Sequence, residues 1–167
     1  LLQSKQTLIF RDPRQFGRLR MHIGKNAPPW WSELPVSMLD QRFKPSVLST
    51  ALSRHGKRPV KALLLDQRYF QGMGNWMADE VLWRAHIHPA RKCAEISSAE
   101  GKKLFTKIKF VVKGAMHSVG KHGGDPPKGW LFHVRWKNGG ICPKTKTPLA
   151  REEIGGRTSC WSPVLQK

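Results

Sequence analysis

The residues best placed to do chemistry are Lys61, Gly72, Gly74 and Asn75. They belong to the run Lys61-Ala62-Leu63-Leu64-Leu65-Asp66-Gln67, followed by Gly72-Met73-Gly74-Asn75-Trp76-Met77-Ala78-Asp79-Glu80 and then His86-Ile87-His88-Pro89. The pattern predicts a helix, a tight glycine turn and a second helix whose N-terminus is exposed. Glycines at such a turn let backbone N–H groups approach an anion closely, and the helix dipole favours negative charge there. Asn75 reads as the N-cap of the second helix. Its side chain and that of Lys61 could add donors to the same phosphate.

The composition supports a polyanionic partner. The chain has 167 residues, with 30 Lys and Arg against 11 Asp and Glu, for a net charge of +19. Hydrophobic residues make up 39%, so this is a globular sequence with a core and not a disordered basic tail. A charge this one-sided repels itself, which makes nucleic acid the first candidate partner and an anionic membrane surface the second. The charge is also clustered. Between Glu100 and Glu152 the only acid is Asp125, against twelve Lys and Arg, and between Asp40 and Asp66 there are six basic residues and no acid. No apolar run has the length of a spanning helix, and the start shows no secretory leader. Cys93, Cys142 and Cys160 are odd in number and form no CxxC pair, so a reducing, intracellular compartment is expected.

The elements that would position these residues follow from periodicity. Residues 7–23 read as strands, with Leu19, Met21 and Ile23 alternating against Arg18, Arg20 and His22. Pro28, Pro29 and Pro35 around Trp30-Trp31 make residues 24–35 an irregular connection. Helices are expected over 46–54, 60–67 and 76–85, and a fourth opens at the capping box Ser97-Ser98-Ala99-Glu100 and runs to about Val119. After Asp125-Pro126-Pro127 the pattern becomes short strands. Residues 131–136 alternate, and 147–154 and 157–161 form a hairpin about Gly155-Gly156.

The helix–turn–helix run resembles the helix–two-turn–helix element of the Fpg/Nei family of formamidopyrimidine-DNA glycosylases. It is most similar to the plant and fungal type, which shares the Gly-Asn-Trp and Ala-Asp-Glu-Val-Leu wording. The resemblance covers almost all of residues 8–167 and corresponds to the C-terminal part of the family. It implies an α+β fold in three parts. Residues 1–35 would be strands from the end of the N-terminal sandwich, with a wedge loop. Residues 36–124 would be a mostly helical DNA-binding domain, and 125–167 a zincless-finger β-hairpin.

The same resemblance assigns roles. Lys61, Gly74, Asn75 and Arg157 would contact DNA. In Asp12-Pro13-Arg14-Gln15-Phe16-Gly17, Arg14 would face the orphaned base and Phe16 would wedge into the gap left by a flipped nucleotide. Taken alone, Phe16 reads as a core residue, Arg157 as a surface arginine and Asn75 as a cap. The bacterial finger holds zinc with two CxxC pairs. Here the four positions carry Cys142, Thr145, Ser162 and Leu165, and one thiolate cannot build a tetrahedral site, so no zinc and no other cofactor is expected.

The family's nucleophile is an N-terminal proline followed by glutamate, whereas this chain starts Leu1-Leu2-Gln3, so no catalytic residue is expected on it. The implied function is base-excision repair, as the DNA-binding portion of a bifunctional glycosylase and AP lyase. Its partner would be duplex DNA bearing oxidised bases or abasic sites, bound by a monomer, in the nucleus of a eukaryote or the cytoplasm of a bacterium. A non-catalytic binder of damaged or bent DNA is the alternative, and an RNA-binding protein of ribosomal type a more distant one.

Overall fold

The structure is a computed structural model and describes residues 9–12, 18–120 and 122–167. The chain divides into two compact units, Leu1–Leu34 and Pro35–Lys167.

In the first unit, Pro29–Trp31 forms a single 3₁₀ turn opened by Pro29, and the two tryptophan rings pack 5.8 Å apart. The strand expected at 18–23 is not formed. Leu19, Met21 and Ile23 are 71%, 84% and 81% exposed. Their alternation creates an apolar face, but among the described residues no second strand supplies a hydrogen-bonding ladder. An unpaired extended segment has neither backbone partners nor a covered face. Arg14 and Phe16 lie outside the described residues.

The second unit holds four helices and one hairpin among its described residues: α1 (Pro45–Arg54), α2 (Val60–Leu64), α3 (Asn75–Ala85), α4 (Ser98–Ala115), β1 (Ala150–Ile154) and β2 (Arg157–Trp161). Each boundary has a local cause. Pro45 starts α1 with its φ already helical. Asp66 ends α2 early, because its carboxylate accepts from the Arg68 N–H and folds the chain into a new turn where continuation to Gln67 was expected. The box at α4 forms as read: Ser97 Oγ accepts from Glu100 N, and Glu100 Oε2 accepts from Ser97 N at 2.9 Å. A π-type turn continues α4 over Met116–Gly120.

The main core is helical. Leu48 and Ala51 of α1, Leu63 and Leu64 of α2, Val81 and Leu82 of α3, and Leu104 and Ile108 of α4 are all buried in it. Each buried leucine, isoleucine or valine among them contributes about 1.5–3 kcal/mol. A second cluster of Trp83, Leu131, Cys142, Leu149 and Cys160 joins the back of α3 to the finger.

Residues 131–136 are not a strand. Leu131–His133 is a 3₁₀ turn whose first N–H donates to Glu80 Oε2 at 2.6 Å. Leu131 and Val134 face the second cluster at a spacing of three, while Trp136 is exposed. The hairpin is antiparallel, pairing Ile154 with Arg157 and Ala150 with Trp161. Its two-residue turn needs positive φ at both positions, which Gly155 (63°) and Gly156 (76°) supply.

Candidate nucleic-acid interface

The N-terminus of α3, the start of α2 and the hairpin tip meet at one end of the second unit. Asn75 Nδ2 donates to the Thr158 carbonyl at 2.9 Å. The tip lies against α2 so closely that a Cβ on Gly155 would stand 2.8 Å from the Ala62 Cβ. Arg157, first residue of β2, is exposed at this tip and its side chain has no partner among the described residues.

Asn75 is not the N-cap that the sequence predicts. Gly74 caps α3 in an extended conformation (φ −91°, ψ 172°), and Asn75 is the first helical residue. Its amide reaches sideways to the hairpin, and its Oδ1 is buried without a hydrogen-bond partner. No side chain caps α3, so its first N–H groups are left for an outside acceptor. Gly72 turns the chain at φ 83°, and a Cβ on Gly74 would meet no atom within 4 Å. That open space on the outer side of Gly74 lets an anion approach the backbone.

Lys61 requires a correction. Its side chain is fully buried, with Nζ 2.6 Å from Asp79 Oδ1 and donating to Ser159 Oγ at 2.7 Å and the Thr158 carbonyl at 3.0 Å. An amine enclosed in this way grips the protein and is not presented to a phosphate. Burial pushes its pKa down, opposed by the Asp79 carboxylate. Asp79 also takes Arg135 in a fork, with Nη2 at 2.6 Å and Nε at 3.2 Å, and accepts from the Cys160 N–H at 3.0 Å. One carboxylate therefore ties α2, α3, the 131–136 segment and β2 together. Next to it, Glu80 accepts from Arg84 Nε at 2.6 Å, and burial raises its pKa against that pairing. Reading the sequence for ligand contacts passed over Asp79, Glu80 and Arg135. The available signal was two acids embedded in the otherwise apolar run from Met77 to Trp83.

The finger's donors do not suit a metal. Cys142 Sγ accepts from the Trp83 indole N–H at 3.4 Å. Burial raises its thiol pKa, but hydrogen bonds from Thr145, Trp83 and Lys144 outweigh this and bring it to about 7. Thr145 Oγ1 pairs with Thr147 Oγ1 at 2.7 Å, Ser162 N–H donates to Gln166 Oε1, and Leu165 packs as a hydrocarbon against the second cluster. Among the described residues no group of three His, Cys, Asp or Glu is arranged to hold a metal ion. Cys160 is buried as packing. No helix among the described residues is long and apolar enough to cross a membrane.

Comparison with known proteins agrees with this geometry. Residues 34–124 match the family model described as the formamidopyrimidine-DNA glycosylase H2TH domain. The formamidopyrimidine-DNA glycosylase of Arabidopsis thaliana is 34% identical over 160 residues, covering 96% of this chain and 40% of the relative. That of Thermus thermophilus is 32% identical over 184 residues, covering 99% and 66%. The crystal structure of the MutM (Fpg) protein from the same bacterium superposes with a TM-score of 0.71 at 30% identity, over 93% of this chain and 62% of that one. Lactococcus lactis Fpg, in a complex with DNA containing N7-benzyl-Fapy-dG, shares the fold at a TM-score of 0.69 and 23% identity, over 83% and 54%. The chain spans 40% of the Arabidopsis protein and 61% of the Thermomicrobium roseum one. With the helix–two-turn–helix, the hairpin and these matches in agreement, the chain belongs to the formamidopyrimidine-DNA glycosylase family.

Proposed function

We propose that this chain is the DNA-binding portion of a base-excision repair glycosylase that acts on oxidised bases and also cleaves abasic sites. The observation that carries the reading is the hydrogen bond from Asn75 to Thr158, which fixes an uncapped helix N-terminus beside the exposed Arg157. In this reading the α3 amides and Gly74 hold one phosphate, Asn75 supports the turn, and Arg157 grips a second. Arg14 and Phe16 serve the gap left by the extruded nucleotide, one facing the orphaned base and the other replacing lost stacking. The names of the relatives and the net charge of +19 support DNA as the partner. The donors of the finger support a metal-free hairpin.

The chemistry of the whole protein would come from a proline amine followed by glutamate, as the family resemblance implies, and no Pro-Glu pair occurs in these 167 residues. The 167-residue polypeptide is therefore expected to bind abasic duplex without cutting it. Borohydride trapping on an abasic duplex, run beside a binding titration, tests both parts. Tight binding with no covalent adduct supports the reading, whereas an adduct would place the nucleophile on this chain. Absence of binding at low salt would remove the DNA assignment.

A further inference from the structure

A second group of cations stands at the opposite end of α3. Along this helix Asn75 bonds Thr158 at the hairpin tip, Asp79 bonds Cys160, and Trp83 bonds Cys142 at the base of the finger. From Asn75 to His86 the helix rises about 16 Å, so its two ends are separate surfaces. At the far end the Lys144 ammonium stands 4.5 Å from the centroid of the Trp83 ring, and the Arg84 guanidinium 5.4 Å from it. On α4, Lys103 and Lys107 lie one turn apart, anchored by the buried Leu104 and Ile108. His86, exposed in the left-handed conformation, closes the group.

The neighbouring acids are already engaged. Glu80 is buried against Arg84, and Glu100 is held by Arg91. Lys103, Lys107 and Lys144 have no ion pair among the described residues. The crowding extends to His86, whose imidazole, partly desolvated although the residue is exposed, is held below its ordinary pKa first by that desolvation and then by Lys103, Lys144 and Lys107. Uncompensated like charges oppose folding, and a polyanion lying across them would offset that repulsion.

We propose that Lys103, Lys107 and Lys144 form a second phosphate-binding surface, which holds another duplex segment while the Asn75–Arg157 end holds the first. The inference rests on the DNA-binding reading and extends it from one duplex to two. Lys103 and Lys107 in a row along α4, with Lys144 close enough to act on the same His86 imidazole, suit a line of charge better than a single anion. Lysine ammonium groups on flexible stems track a backbone without reading its sequence.

The test uses one duplex carrying a donor dye and a second carrying an acceptor. Wild-type chain at low salt should bring the two together and give energy transfer. The variant Lys103→Gln/Lys107→Gln/Lys144→Gln should lose bridging by about tenfold or more, while its affinity for one duplex at limiting DNA stays within about twofold, because each lost phosphate contact removes counterion release at this surface only. Arg157→Ala separately reports the primary end. If Arg157-sensitive binding is present but the triple variant bridges like wild type, or wild type never bridges, the second surface is refuted. Loss of polyglutamate binding in the triple variant without any DNA bridging would also refute it, in favour of an acidic protein. If Arg157→Ala has no effect while bridging depends on the three lysines, the primary reading fails and the second surface stands.

Discussion

Lys61 Nζ and Asp79 Oδ1 stand 2.6 Å apart with both side chains fully enclosed, and this buried pair sits directly beneath the surface that carries Asn75 and Arg157. Asp79 pairs with two buried cations at once, Lys61 and Arg135. Its removal leaves both unpaired in a low-dielectric interior, where breaking a buried ion pair costs about 3–5 kcal/mol. Asp79→Asn is expected to lower the unfolding free energy by that amount in a denaturant titration. Loss of less than about 1 kcal/mol, the range of surface pairs, would show that the network is not what holds the hairpin on α3.

Acid sensitivity should be traceable to Glu100. Its hydrogen bonds to Arg91 and Ser97 hold its carboxyl at about 2 against an ordinary 4.5. A carboxylate depressed in the folded state contributes stability above its unfolded pKa and loses it as pH falls through the folded one. Stability should therefore decline between about pH 4.5 and 2, with Arg91 losing its partner and α4 its capping box. Glu100→Gln should flatten this part of the profile in thermal melts taken across that range. An unchanged profile would assign the acid sensitivity to other carboxylates.

Much of the fold around this site could be read from sequence because its signals are local. The Ser97–Glu100 box, the Gly155-Gly156 turn and the 3.6-residue period of α3 and α4 depend on residues within a few positions of each other, and each formed near its expected place. What could not be read was non-local. Lys61 looked like a free cation, but the atoms that enclose it come from Asp79, Thr158 and Ser159, up to 98 positions away. Alternation at 18–23 and 131–136 suggested strands. Sequence period alone does not show whether a partner strand is present or whether a buried carboxylate such as Glu80 will pull the chain into a turn.

The finger is expected to contain no structural zinc, because Leu165 offers no donor and Cys142 is already hydrogen-bonded to the Trp83 indole. Elemental analysis of purified protein checks this, with one zinc per chain as the contrary result. A chelator should leave the melting temperature unchanged.

Phe16→Ala separates wedge from core at a position outside the described residues. Removal of a stacking side chain costs on the order of 1–3 kcal/mol per base. That loss should fall on abasic or flipped substrates, since an intact duplex has no gap to fill. Equal weakening of both DNAs, or a collapse in the protein's own stability, would instead mark Phe16 as a packing residue.

The central claim is that the end of the second unit built from Gly74, Asn75 and the hairpin tip grips phosphates. Its most direct test is the salt dependence of duplex binding for wild type and Arg157→Ala, on abasic and undamaged DNA. Arg157 is exposed and its side chain has no partner among the described residues, so its loss leaves the fold intact. A phosphate contact is blind to sequence and releases counterions, so the variant should bind both DNAs more weakly and show a log–log salt slope smaller by about one unit. An unchanged slope with unchanged affinity would contradict the account, because the hairpin tip would then not be touching the DNA backbone.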